Sequence, residues 1–229
     1  MTRAEYADAL AALPEDAVAG YLVANSGLPG PRSNLTLLDA AGDVLPAALA
    51  LAFLSDDDEY LASCGTVTLG RLLLDGDRSV IPRLTGLAAD GRWRVRESVA
   101  IAAQRVGDGD PALLRELVAG WTAHADPLVV RAGIAAICEP RLLAQPQTAQ
   151  AAIAACQTAT AHLRATPREH RRDAGVRTLR QGLGYCWSVA VAGDPVRGLP
   201  AFAALDASDP DVAWVVAENR KKKRLIALL

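Results

Sequence analysis

The chain is poor in aromatic residues, with two Phe, four Tyr and four Trp among its 229 residues. Ala, Leu and Val must therefore build the core, and strand-forming aromatic runs are too few to compete with helix. No uninterrupted apolar run reaches about 18 residues, so we expect no segment that crosses a membrane. The stretch MTRAEYADAL at residues 1–10 lacks the apolar centre of a signal peptide. These absences predict an almost wholly helical, cytoplasmic protein.

Residue types that carry chemistry are also scarce. The three His have no metal-ligand spacing, and no two of the four Cys form a CxxC pair. The cysteines lie in apolar helical surroundings and read as buried free thiols of a reducing compartment. They are Cys64, Cys138, Cys156 and Cys186. We predict no metal and no cofactor.

Two motifs invite a ligand-binding interpretation and do not support it. SDDDEY at residues 55–60 lacks the Gly and the final Glu of an EF-hand loop, so we expect Ser55 or an Asp to cap a helix there. GLPGPRSN at residues 27–34 lacks the Lys of a phosphate-binding loop and is interpreted as a connector. There is no GxSxG motif either, so no enzyme signature is present.

Lysine is the scarcest charged residue, and its placement is uneven. The chain has 21 Arg but three Lys, which stand together at Lys221, Lys222 and Lys223. Residues 1–77 contain three basic and twelve acidic side chains and so have a net charge of −9, whereas the rest of the chain has a net charge of +7. A basic second half would attract an anionic partner, although a solvated helical surface explains it equally well.

The clearest local signal is the dipeptide Asp-Pro, which suits a helix start because Asp caps the first turn and Pro fits its first position. Thr166-Pro167-Arg168-Glu169 predicts a further start, with Thr166 as cap and Glu169 closing a capping box. The Asp-Pro pairs begin at Asp110, Asp126, Asp194 and Asp209.

These starts divide the chain into helical hairpins that recur about every 35 residues. Helices are expected over about 3–13, 15–25, 33–41, 43–54, 58–74, 78–89, 92–106, 111–123, 128–138, 147–164, 168–191, 195–206 and 211–226. Gly182 and Gly184 could kink or end the 168–191 helix early. Paired helices with this period indicate an α-solenoid.

At the turns within these hairpins the sequence resembles HEAT repeats, in which an Asp in the turn is followed by a Val-Arg pair in the second helix. The copies are Asp90 with Val95-Arg96, Asp126 with Val130-Arg131, and Asp211 with Val216, where Ala217 replaces the Arg. The resemblance implies a right-handed α-solenoid of antiparallel helix pairs: one domain over 1–229, with a helical cap at about 1–41 and repeats over about 43–226. It also implies an Asp–Arg ladder between adjacent repeats.

A looser similarity extends to the HEAT-like DNA alkylation repair proteins. These bind DNA in a basic concave groove, and the glycosylases among them place aromatic residues and an Asp around the lesion. This chain has a basic second half, but no Trp/Asp arrangement matches residue by residue, so no catalytic residue is transferred. Its tryptophans are Trp93, Trp121, Trp187 and Trp214.

Two tryptophans lie off the expected core stripe of their helices, four residues before a Glu. Val95, Val99, Ala102 and Val106 form the core stripe of the first helix, and Trp93 and Glu97 lie roughly opposite. Trp214 and Glu218 repeat this spacing. Either the indoles pack against a neighbouring repeat, or they are exposed as anchors for a partner, since Trp and Arg dominate binding hot spots.

Two basic clusters complete the candidate partner-binding residues. Arg168, Arg171 and Arg172 would share one helix face, which suits phosphate but also a salt-bridged surface with Glu169 and Asp173. The lysines at 221–223 either complement the negative end of a helix dipole or bind an acidic or nucleic-acid partner.

The sequence therefore predicts a non-catalytic HEAT-repeat scaffold that binds another protein. The alternative is a module that binds duplex DNA through the basic second half and is related to the alkylation repair proteins.

Overall fold

A computed structural model describes residues 1–228, and 75% of the chain is helical with no strand among those residues. The predicted all-α fold class is thereby confirmed. The chain divides into two compact units, residues 1–106 (unit 1) and 107–229 (unit 2). The sequence predicts that residues 1–229 form one solenoid domain, and this remains a prediction. No helix of the described residues is both long enough and apolar enough to cross a membrane.

Unit 1 is built around one long buried helix. Its helices are α1 (Arg3–Ala11), α2 (Glu15–Ala24), α3 (Leu35–Val44), α4 (Ala47–Phe53), α5 (Glu59–Leu74), α6 (Ile81–Leu87) and α7 (Trp93–Gly109), the last of which ends within unit 2. Helix α5 contacts α2, α3, α4 and α6. Gly70 of α5 leaves no room for a side chain, because a methyl carbon there would lie 2.5 Å from the carbonyl oxygen of Ala102. Helices α5 and α7 therefore approach closely.

The predicted start of α5 is correct, and its end follows from one glycine. Asp58 of the SDDDEY stretch accepts hydrogen bonds from the backbone N–H groups of Tyr60 (2.8 Å) and Leu61 (3.1 Å). This confirms that an Asp caps the helix. Gly76 follows the C-terminal end of α5 with a φ of 99°, a left-handed conformation that favours glycine and ends helices.

Unit 2 arranges its helices in two rows. It contains α8 (Pro111–Thr122), α9 (Pro127–Ile137), α10 (Pro146–Ala165), α11 (Ala174–Gly193), α12 (Pro195–Ala203), α13 (Pro210–Arg220) and α14 (Lys223–Ile226). Contacts run from α8 to α10 to α12 in one row and from α9 to α11 to α13 in the other. Helix α11 is central, since it also contacts α10, α12 and α14.

All four predicted Asp-Pro helix starts are confirmed. Asp110 accepts from Ala112 N (3.0 Å), Asp126 from Leu128 N (2.8 Å), Asp194 from Arg197 N (3.2 Å) and Asp209 from Asp211 N (2.9 Å). Each side chain thus satisfies a first-turn N–H group that has no partner within its helix.

The prediction of a helix start at residues 166–169 is wrong. Thr166 instead ends α10, with its hydroxyl donating to the carbonyl of His162 (3.0 Å). The Arg171 guanidinium donates to the carbonyls of Arg164 (3.0 Å) and Thr166 (3.1 Å) at the end of α10. These bonds hold residues 168–173 as a 3₁₀ turn and loop, and α11 begins only at Ala174.

Two other expected helix features also differ. Helix α11 continues through Gly182 and Gly184 to Gly193. The expected helix over 211–226 is interrupted because Lys222 has an extended backbone, and the short α14 follows it. Leu225 of α14 is fully buried, so the segment after the lysines packs against the fold.

Candidate functional site

An apolar cavity of about 320 Å³ opens on unit 1, bordered by residues of α3, α5, α7 and the loop before α3. Leu38 and Tyr60 are buried in its floor, and Ile101 of α7 lines it. At the rim, Leu35 is 56% exposed and Trp93 is 53% exposed. An apolar cavity with exposed apolar side chains at its rim is the kind of surface at which ligand- and partner-binding sites are sought.

Trp93 is half exposed, and its neighbour Arg94 lies over its ring. The guanidinium carbon of Arg94 lies 4.5 Å from the centre of the indole. Glu59 of α5 fixes Arg94, since its carboxylate accepts from the Arg94 side chain (2.9 Å) and backbone N–H (3.1 Å). The predicted core stripe of Val95, Val99, Ala102 and Val106 is fully buried, so Trp93 indeed lies off it.

The polar groups of the cavity floor are directed into the protein. Tyr60 donates its hydroxyl to the carbonyl of Asn34 (2.7 Å), and burial raises the pKa of this phenol far above its usual value. Ser63 and Ser98 donate to the carbonyls four residues earlier in their own helices (2.7 and 2.9 Å). The cavity therefore offers a largely apolar surface. Glu97 contributes a carboxylate to its lining.

Sequence reasoning identified Trp93 and Glu97 but missed the rest of this cavity. Leu35 is the first residue of α3, and Tyr60 comes from α5. Neither stands in a motif that marks a binding residue. Only the packing of α3, α5 and α7 brings them to Trp93.

Trp214 and Glu218 share the spacing of Trp93 and Glu97 but have different surroundings. The Trp214 indole lies against Gly184 of α11, where an added methyl carbon would lie 2.8 Å from its ring. Arg180 covers the indole at 4.0 Å from the ring centre. The Lys221 ammonium bonds Glu218 and thereby lowers the pKa of that carboxyl. A partner-binding role for Trp214 and Glu218 stays a prediction.

The three arginines predicted to share one helix face, suited either to phosphate or to a salt-bridged surface, do not share one. Arg168 lies in the 3₁₀ turn and Arg172 in the loop before α11, and both are exposed. Arg171 is bonded to Asp209 (2.7 Å) and Asp211 (3.3 Å).

Arg164, Arg168 and Arg171 border an open cleft of about 810 Å³ that is lined by both signs of charge. Arg164 is paired across it with Asp206 (3.0 Å). Burial acts to raise the pKa of Asp209, but hydrogen bonds from Arg171 and from the first turn of α13 outweigh it and leave the pKa lowered. The cleft therefore offers little unpaired positive charge.

The lysines adjoin an exposed tyrosine of α11. Lys222 lies 5.9 Å from the ring centre of Tyr185, and Arg224 lies 4.8 Å from it. Arg224 also donates to the Tyr185 hydroxyl (2.9 Å). Lys221 and Lys223 are exposed.

The remaining tryptophans belong to the core of unit 2. Trp121 is 3% exposed and Trp187 is fully buried, with its Nε1 donating to the Thr160 hydroxyl (3.0 Å). The four cysteines are likewise buried, as predicted. Within residues 1–228, no group of three or more His, Cys, Asp or Glu side chains is placed to hold a metal ion.

One of the two arginines of the repeat signature, Arg96, bonds within its own turn. Arg96 donates to the carbonyls of Asp90 (2.6 Å) and Gly91 (3.0 Å). The Asp90 carboxylate is hydrogen-bonded by Arg92, which lowers its pKa. Consecutive hairpins of unit 1 are joined by Arg94 with Glu59, 35 residues apart. The Asp–Arg ladder that the resemblance implies stays a prediction.

Comparisons with protein-family models, with curated proteins and with solved structures found no match to this chain.

Proposed function

We propose that this protein is a non-catalytic HEAT-like helical scaffold that binds another protein, with an apolar side chain of the partner seated in the cavity beside Trp93. The observation that carries the proposal is the pair of exposed side chains, Leu35 and Trp93, at the rim of an apolar cavity. Aromatic anchors at an apolar pocket are the usual centre of a protein interface. The two rows of contacting helices in unit 2 support the solenoid architecture.

The charges of the chain favour a protein partner over nucleic acid at this cavity. Unit 1 carries nine basic and fourteen acidic side chains, a balance of −5. Nucleic acid binding depends on cations that replace the counterions of the phosphates. A protein partner has no such requirement, and the apolar floor suits a side chain better than a phosphate.

The test uses two matched substitutions at exposed apolar residues in first helical turns. Leu35→Glu places a charge at the cavity rim, and Val196→Glu places one at the start of α12, where Val196 is 83% exposed. Glutamate is favourable in a first turn, so both variants should fold. Proximity labelling in the native cell should identify proteins that wild type and Val196→Glu share and that Leu35→Glu loses.

Recovery of the same proteins with Leu35→Glu would contradict a role for the cavity. The nucleic-acid alternative is tested on the same purified proteins with duplex DNA at about 50 mM salt, where phosphate contacts are strongest. Binding there that falls steeply with added salt would favour that alternative.

A further inference from the structure

A second apolar hollow, of about 380 Å³, lies in unit 2 between the α9–α10 connection and the end of α11. Leu143 packs closely over Gly193, where an added methyl carbon would lie only 2.9 Å from the Leu143 side chain. Ala144 and Ala192 are exposed at its edge, and Arg224 of α14 borders it. The hollow thus has apolar walls and a cation at its rim.

Arg224 belongs to a group of cations that make no hydrogen bond or ion pair to a carboxylate of residues 1–228, and Glu218 acts on Lys222 only as a nearby charge. The structure shows no carboxylate bonded to Arg220, Lys222, Lys223 or Arg224. Several other arginines of unit 2 are paired with carboxylates, as in Arg141 with Asp108 (3.0 Å) and Arg180 with Asp211 (3.0 Å). The negative end of α13 offsets only about half a charge.

Tyr185 fixes two of these cations beside the hollow. Arg224 bonds the Tyr185 hydroxyl and lies over the ring, and Lys222 approaches the same ring. Val189, one turn further along α11, lines the hollow. Positive charge and apolar surface therefore adjoin on one face of unit 2.

We propose that this face, the Lys222–Arg224 segment together with the hollow, binds an acidic segment of a partner protein that carries a large apolar side chain. The carboxylates pair with Lys222, Lys223 and Arg224, and the apolar side chain enters the hollow. Charge complementarity of this kind raises association rates and selects the partner. The site uses none of the unit 1 cavity residues.

Two other anionic partners fit the face less well. Single-stranded nucleic acid stacks its bases on open aromatic rings, whereas Arg224 already covers the Tyr185 ring. A membrane surface requires an amphipathic helix with a wide apolar face. Helix α14 has four residues, and its Leu225 is buried, which leaves Ile226 as its exposed large apolar side chain.

The test measures fluorescence anisotropy of a labelled Glu-rich peptide with one Leu and one Phe, and of the same peptide with Ser at both positions. We expect the apolar version to bind more tightly, and both to weaken as salt rises. Lys222→Glu with Lys223→Glu should weaken binding by about fivefold or more, the effect of losing two or more surface ion pairs. Ala144→Trp, which fills the hollow without changing charge, should abolish the advantage of the apolar peptide.

Arg83→Glu combined with Arg177→Glu provides the matched control, since both residues are exposed and neither lines the hollow. This double variant changes net charge as much as the double lysine variant and should leave binding nearly unchanged. The proposal is overturned if this control weakens binding equally, if Ala144→Trp has no effect, or if neither peptide binds at low salt. Tighter binding to duplex DNA or to phosphatidylserine vesicles, or self-association that the lysine variant abolishes, would also overturn it.

Discussion

The packing of Trp214 on Gly184 predicts an unusual response to a glycine-to-alanine change in a helix. Gly184 lies inside α11, where Ala is normally preferred over Gly by about 1 kcal/mol. An added methyl carbon would lie 2.8 Å from Cζ3 and 3.1 Å from Cη2 of the indole. Favourable carbon–carbon contacts lie at about 3.5–4.0 Å, so the indole must move.

The surroundings of the indole oppose that movement. The guanidinium carbon of Arg180 lies 4.0 Å from the ring centre of Trp214. Val212 and Val215, which lie on α13 with Trp214, are fully buried. Overfilling a packed site costs roughly 1–3 kcal/mol, which equals or exceeds the gain in helix propensity. We therefore expect Gly184→Ala to lower the free energy of unfolding by roughly 0–2 kcal/mol.

Gly120→Ala is the matched control, because Gly120 is exposed in α8 and an added methyl carbon meets nothing within 4 Å. That variant should gain up to about 1 kcal/mol. Urea unfolding followed by circular dichroism measures both. In a Trp214→Ala background, Gly184→Ala should become stabilising, and the double-mutant cycle gives the coupling between the two residues. Equal stabilisation by Gly184→Ala and Gly120→Ala in the wild-type background would refute the packing of Trp214 on α11.

Three further outcomes are expected. Asn219 is fully buried, accepts from the backbone N–H of Ser188 (2.8 Å) and donates to two carbonyls, so Asn219→Ala should lower the free energy of unfolding by about 2 kcal/mol or more. Folding lowers the pKa of Asp209, so the ionised Asp209 stabilises the fold fully above pH 3.8, the ordinary pKa of an Asp, and this stabilisation is lost as pH falls through the lowered pKa. Arg171→Gln should therefore flatten the dependence of the free energy of unfolding on acid pH, measured by urea titration. A thiol reagent should modify the four buried cysteines slowly in the native protein and rapidly in urea, and fast native labelling would contradict their burial.

The features that sequence predicted well are local. Asp209 caps α13 through N–H groups two and three residues away, so the dipeptide alone contains the information. Arg171 shows the opposite case, because its carboxylate partners lie 38 and 40 residues further on. Without those contacts, residues 168–173 look like the first turns of a helix.

The candidate site shows the same division. The positions of Trp93 and Trp214 off their core stripes follow from helical periodicity, and both were predicted. Whether each indole is covered depends on another helix: Gly184 makes room for Trp214, whereas Trp93 borders an open cavity with Leu35. Equal spacing in the sequence therefore has two different outcomes, and tertiary packing decides between them.

The confinement of lysine to residues 221–223 limits where amine chemistry can act on this protein. Acylation of a lysine, conjugation of another protein to a lysine, and cross-linking between lysines all require this side-chain amine, and the chain offers it in one short segment. Lys221 is engaged by Glu218 and Lys222 lies over Tyr185, while Lys223 is exposed at the start of α14. A lysine-directed cross-linker would therefore report on contacts at one known place in unit 2.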